Sequence, residues 1–261
     1  MVQDILKISV FQFDLAWENV KANLSKIDQM LKRLPAGTDI VFLPEMFSTG
    51  FTTNAAKVAE SMSGETMNWI KQRCVEYQTA ICGSLVIQEE GKYFNRLVFV
   101  DPDSKVSQYD KRHLFTIAGE ESCYSKGENR LILEYKGWRI CPLICYDLRF
   151  PVWSRNLNNY DLLVYSANWP EPRALVWNTL LKARAIENQS YVVGVNRVGT
   201  DGNKISYLGQ SQMIDAKGNV IALAQDNREE IRSTPISFTE LLNFRKKFPV
   251  LNDSDDFCIE K

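Results

Sequence analysis

Leu143-Ile144-Cys145-Tyr146-Asp147-Leu148-Arg149-Phe150-Pro151 decides how this chain is read. An apolar run, residues 138–144, leads straight into a cysteine, and the chain then turns polar and meets a proline. A buried strand that ends at a cysteine and feeds a helix start presents a sulfur at the rim of a sheet. The first free amides of the next helix can then face whatever the sulfur attacks. A cysteine alone is most often a small core residue, so the reading depends on what else the fold brings to the same rim.

Two other segments supply it. Asp39-Ile40-Val41-Phe42-Leu43-Pro44-Glu45-Met46-Phe47 is a second apolar strand, and it stops at a carboxylate. Tyr109-Asp110-Lys111-Arg112-His113-Leu114-Phe115 is a charged and aromatic loop without a clean period. Ligands of open α/β sheets collect outside the carboxyl ends of strands. A thiol needs a base to become a nucleophile, and a carbonyl oxygen that turns into an oxyanion needs a cation or amide donors. Glu45, Lys111 and Cys145 meet those needs. The only histidine, His113, lies two residues from Lys111 and reads as a support of the loop. The rival, a cysteine–histidine hydrolase, would pair Cys145 with His113.

On these motifs, together with Asn168-Trp169-Pro170 and Ala183-Arg184-Ala185-Ile186-Glu187-Asn188-Gln189, the chain resembles the nitrilase superfamily of carbon–nitrogen hydrolases. Within it, residues 146–156 and Asn196-Arg197-Val198-Gly199-Thr200-Asp201-Gly202-Asn203 are most similar to the omega-amidases. Those enzymes hydrolyse the terminal amide of 2-oxo acid amides such as 2-oxoglutaramate. The resemblance implies an α/β fold of mixed sheets, a four-layer αββα sandwich, working without cofactor or metal as a homodimer. It also implies a second glutamate after the lysine loop. Spacing to Gly127 favours Glu120 over its neighbour Glu121.

Each assignment has a plainer alternative. Cys145 as nucleophile, Glu45 as base and Lys111 as oxyanion partner compete with a core thiol, a capping carboxylate and a solvated lysine. Phe47, Tyr146, Phe115 and Trp169 are placed around a substrate, with ordinary core packing as the alternative. Asp147 and Arg149 read as structural supports of the turn behind the cysteine. A substrate carboxylate needs a cation, for which Arg173, Arg112 and Arg197 are open. A nitrilase, a carbamoylase or an amidase of deaminated glutathione would use the same groups, and a non-catalytic scaffold is the reading from another class.

Composition sets the outer limits. The chain has 261 residues, 45 % of them hydrophobic, enough for a substantial core, and no linker composition divides it, so one domain over residues 1–261 is expected. A net charge of −1 without a basic stripe argues against nucleic acid. No apolar run approaches the ~20 residues of a membrane helix and no signal core opens the chain, so the cytoplasm is expected. The six cysteines then read as free thiols, and with one histidine there is no metal cage.

Strands are expected at residues 6–13, 39–43, 79–88, 93–101, 107–110, 131–135, 138–144, 161–167, 191–197, 206–215 and 219–224. Helices are expected at 17–34, 65–77, 151–156, 172–189 and 239–248.

Overall fold

The computed structural model describes residues 2–157, 159–255 and 257–259. In chain order the elements begin β1 (Ile5–Gln12), α1 (Val20–Leu31), β2 (Ile40–Phe42), α2 (Ala55–Val58), α3 (Glu65–Tyr77), β3 (Ala80–Glu89), β4 (Lys92–Val100) and β5 (Val106–Asp110). Next come β6 (Leu133–Tyr135), β7 (Trp138–Ile144), α4 (Pro151–Ser154), β8 (Leu162–Ala167), α5 (Ala174–Asn188) and β9 (Tyr191–Asn196). The last are β10 (Val198–Thr200), β11 (Ser206–Leu208), β12 (Gln212–Ile214), β13 (Val220–Leu223), β14 (Glu230–Ser237) and α6 (Phe238–Lys247).

Two six-stranded mixed sheets result, in the orders β14-β1-β2-β3-β4-β5 and β13-β12-β9-β8-β7-β6. The period of two along each strand sorts side chains between two cores. In the first sheet Ile8, Val10, Ile40, Phe42, Leu97 and Phe99 face the second sheet, while Phe11, Val41, Ile81, Val98 and Val100 face α1 and α3. The far side of the second sheet takes Trp177, Leu181 and Ala185 of α5. The layers are therefore helix, sheet, sheet, helix, as expected.

Four expectations need correction. The first helix starts at Val20, not residue 17: Asn19 caps it by accepting from Ala22 N, and Glu18 before it has a left-handed φ of 49°. Helix α5 starts two residues after 172, behind a short 3₁₀ turn. Residues 206–215 are two strands, because Gly209 (φ 85°) and Gln210 (φ 57°) break the run, and the Gln12 amide packs where a Cβ of Gly209 would stand. Finally, β14 was not foreseen. It is polar and contains Pro235, which an edge strand tolerates.

Candidate active site

Glu45, Lys111, Cys145 and Asn168 each follow the last residue of a strand or lie within three residues of it, after β2, β5, β7 and β8 respectively. All four line one pocket, a cavity of about 260 Å³. Cys145 opens a 3₁₀ turn, Cys145–Arg149, with a left-handed φ of 41° that a non-glycine residue rarely holds. Asp147 fixes the turn: Oδ2 accepts from Ile144 N (3.0 Å) and the Tyr109 hydroxyl (2.8 Å). Its Oδ1 accepts from His113 N (3.1 Å) and meets His113 Nδ1 at 2.8 Å. His113 stacks on Phe150, with centroids 3.7 Å apart, and does not line the pocket. The lone histidine thus braces the turn behind the sulfur.

The charged groups form a compact buried cluster. Lys111 Nζ donates to Glu45 Oε1 at 2.8 Å and to Glu120 at 3.0 and 2.8 Å. Glu120 is fully buried and also accepts from Phe115 N (2.6 Å), whereas Glu121 points to solvent. Glu45 Oε2 accepts from Asn168 N (3.0 Å), and Asn168 Nδ2 holds the Glu45 carbonyl at 2.5 Å. The Cys145 thiol faces the Asn168 carbonyl at 3.8 Å.

These neighbours set the protonation states. Burial would drive the Lys111 ammonium down, but the charges of Glu120 and then Glu45 overturn that and hold it well above its usual value. Burial, and next the Glu45 charge, push the Cys145 thiol well above its usual value against the pull of Lys111. Burial also raises Glu120, although Lys111 opposes it. Burial and the Glu45 side chain together thus favour the thiol over the thiolate at Cys145.

Tyr146, Phe115 and Trp169 line the cavity, with the Phe115 and Tyr146 rings 5.0 Å apart. Phe47 does not. It is fully buried in the helix-side core against Trp69, and Gly83 makes room for its ring. The left-handed Met46 (φ 45°) turns the chain between Glu45 and Phe47, so the two part company. Of the three arginines considered, Arg173 lines the pocket. Arg112 donates to the Gly127 carbonyl and stands over Trp153, and Arg197 is buried on Asp14. Arg149, read as a support, instead lies on the pocket wall over the Trp169 ring, 5.3 Å from its centroid. Pro170 of the Asn168-Trp169-Pro170 motif also lines the pocket, and Phe51, Ile117, Ala118, Ile205 and Tyr207, which complete the lining, carried no sequence signal.

The carbon-nitrogen hydrolase family model matches residues 7–246. The chain belongs to the carbon-nitrogen hydrolase family. Among carbon-nitrogen hydrolases it is similar to the omega-amidase YafV of Escherichia coli K12, at 47 % identity over 97 % of this chain and 98 % of the relative. It is also similar to the 2-oxoglutaramate amidase of Bacillus subtilis, at 32 % identity over 94 % and 96 %. The crystal structure of XC1258 from Xanthomonas campestris, a superfamily protein with an arsenic adduct in its active site, superposes with a TM-score of 0.96. That pair is 40 % identical, over 99 % of this chain and all of that one.

Proposed function

We propose that this carbon-nitrogen hydrolase cleaves the terminal amide of a small 2-oxo acid amide, 2-oxoglutaramate or 2-oxosuccinamate, through a thioester on Cys145. The observation that carries the reading is the Glu45–Lys111–Glu120 cluster in the same apolar pocket as the Cys145 thiol, with two arginines on its wall. Glu45 takes the thiol proton as sulfur attacks the amide carbon. Lys111 Nζ and the backbone N–H of Tyr146 hold the oxyanion, each donor being worth roughly 10²–10³ in rate. Glu45 returns its proton to the leaving nitrogen, and ammonia departs. Glu45 then takes a proton from water as it attacks the thioester, the acid leaves, and the thiol is restored. Glu120 acts through Lys111, holding the ammonium in place.

The substrate class rests on Arg149 and Arg173. Their guanidinium groups lie over Trp169 and Phe115 and make no ion pair among the described residues. A planar cation on an aromatic face, with its donors uncommitted, suits a carboxylate entering from the pocket mouth. The names of the relatives above support the same class.

The test is ammonia release from 2-oxoglutaramate, 2-oxosuccinamate, glutamine and a simple nitrile, with Cys145→Ala as the blank. Turnover of the 2-oxo amides above the others, lost in the variant, is expected; turnover of the nitrile alone would overturn the reading. Arg173→Ala should raise KM for 2-oxoglutaramate at least ~10-fold and leave pentanamide, which lacks the carboxylate, unaffected.

We further read the chain as one cytoplasmic domain that forms a homodimer. Exposed Leu175 and Ile186 on α5 and Val152 on α4 supply apolar surface for a second copy. A monomeric mass by light scattering would sink the dimer.

A further inference from the structure

Asn95 sits near the middle of β4, fully buried, on a strand otherwise built of apolar and aromatic side chains with Lys92 and Arg96. Its Nδ2 donates to Glu45 Oε1 at 2.8 Å and to Glu120 Oε1 at 3.2 Å, so one amide group bridges both carboxylates. Its backbone carbonyl accepts from Lys111 N at 3.0 Å, continuing the β4–β5 ladder to the lysine. Its side-chain carbonyl, Oδ1, is buried without a partner. The amide can face only one way, because its oxygen turned toward two carboxylates would be repelled. Asn95 thus gives up one hydrogen bond to make two to the charged cluster.

We propose that Asn95 is a positioning residue that gives Glu45 a single seat for the moving proton. Oε1 of Glu45 is occupied by Lys111 and Asn95 together, while Oε2 carries one donor, the Asn168 amide. The thiol proton can therefore be taken only at Oε2. Asn95 also separates the two carboxylates electrically. Paired carboxylates around one cation tend to share a proton, and a base that shares its proton cannot accept another. A neutral donor between them removes the need to share. The ionisable groups that interact with Glu45 are Lys111, Glu120, Cys145 and Tyr124. The Tyr124 hydroxyl is committed to the Thr52 carbonyl at 2.7 Å, so it cannot replace the Asn95 amide.

This inference rests on the reading of Glu45 as the proton carrier. The experiment compares wild type, Asn95→Asp, Asn95→Ser and Glu45→Gln. It measures kcat and KM on 2-oxoglutaramate from pH 5 to 10, the alkylation rate of Cys145 by iodoacetamide over the same range, and Tm. Asn95→Asp keeps the shape but replaces the neutral donor by a third carboxyl group. It should lower kcat at least ~10-fold at neutral pH with KM within ~3-fold, as expected for losing a hydrogen bond to a charged group. The acid limb of its kcat profile should move up by about one pH unit or more. Asn95→Ser keeps one short donor and should fall between the two.

An acid limb that stays in place in both Asn95 variants, whatever happens to Tm, overturns the inference and leaves the amidase reading standing. If Asn95→Asp does not fold, Asn95→Ser decides by the same limb. Wild-type turnover in Glu45→Gln would defeat the base assignment and this inference with it. Wild type that turns over no amide, while its Cys145 alkylation profile shifts in Asn95→Asp, would defeat the substrate reading and support the inference.

Discussion

Two buried charge clusters in this molecule are built on opposite plans. Just before β8, an inner strand of the second sheet, Asp161 accepts from Arg139 Nη2 and Arg245 Nη1, both at 2.8 Å, and from the Arg139 backbone at 3.1 Å. One anion there has two cations, and those cations reach solvent. At the pocket, two carboxylates share the single cation Lys111, and all three are buried. Burial raises Asp161, but the Arg139 bonds overturn it and hold the carboxyl below its usual value; Glu120 ends above its own. The first arrangement over-compensates its one buried anion and braces the fold. The second sets two carboxyl groups around one lysine in the pocket that also holds the Cys145 thiol, an arrangement that suits the proton transfers proposed above.

Removing the shared cation should have the largest effect. Lys111→Ala loses an oxyanion donor and leaves two unpaired carboxylates, so kcat should fall at least ~10³-fold. Steady-state ammonia release measures it, and a drop below tenfold would break the contrast. Next, Glu120→Gln should separate activity from stability. Turnover falls ~10–100-fold as Lys111 loses its clamp, while Tm holds or rises because a buried charge is removed. Asp161→Asn should do the reverse. Thermal unfolding should show a loss of about 3 kcal/mol, with kcat/KM of the folded fraction within twofold of wild type.

The smallest effect is the pH dependence of these two penalties. Asp161, with its folded value depressed, contributes stability above its unfolded value of 3.8 and loses it as pH falls through the folded one. The Asp161→Asn deficit in Tm should therefore shrink below about pH 4. Glu120, with its folded value raised, costs the fold more as pH rises from its unfolded 4.5. The advantage of Glu120→Gln should accordingly grow from pH 4.5 to 7. Parallel Tm curves for the two variants would erase the distinction.

Much of this was legible in the sequence, for a physical reason. Glu45 and Cys145 each follow an apolar run, and a charge or thiol there interrupts a pattern that is easy to see; Lys111, in a charged and aromatic loop, stood out as the cation that an oxyanion needs. The same rule failed at Phe47, because a left-handed residue between it and Glu45 sends the ring to the other core. Asn95 escaped notice, and Asn168 entered only as part of a motif, because what they do is bond to residues far away in the chain, and no local period carries that. Arg149 was read only as a support because one short turn both braces itself through Asp147 and lends Cys145, Tyr146 and Arg149 to the pocket wall. Strand β14 was hidden by its polarity, being held by its pairing with β1 rather than by its own pattern.

That last pairing has a consequence for how the molecule is made. Ile5 lies opposite Ser237, and Gln12 opposite Glu230, so β1 waits for β14, which is synthesised much later. At roughly 5–20 residues per second, a ribosome leaves one edge of β1 open for about 10–45 s. During that time its free N–H and C=O groups can recruit another nascent chain. Release of a chain cut short before residue 230 makes that exposure permanent, so truncated products should be found in the insoluble fraction.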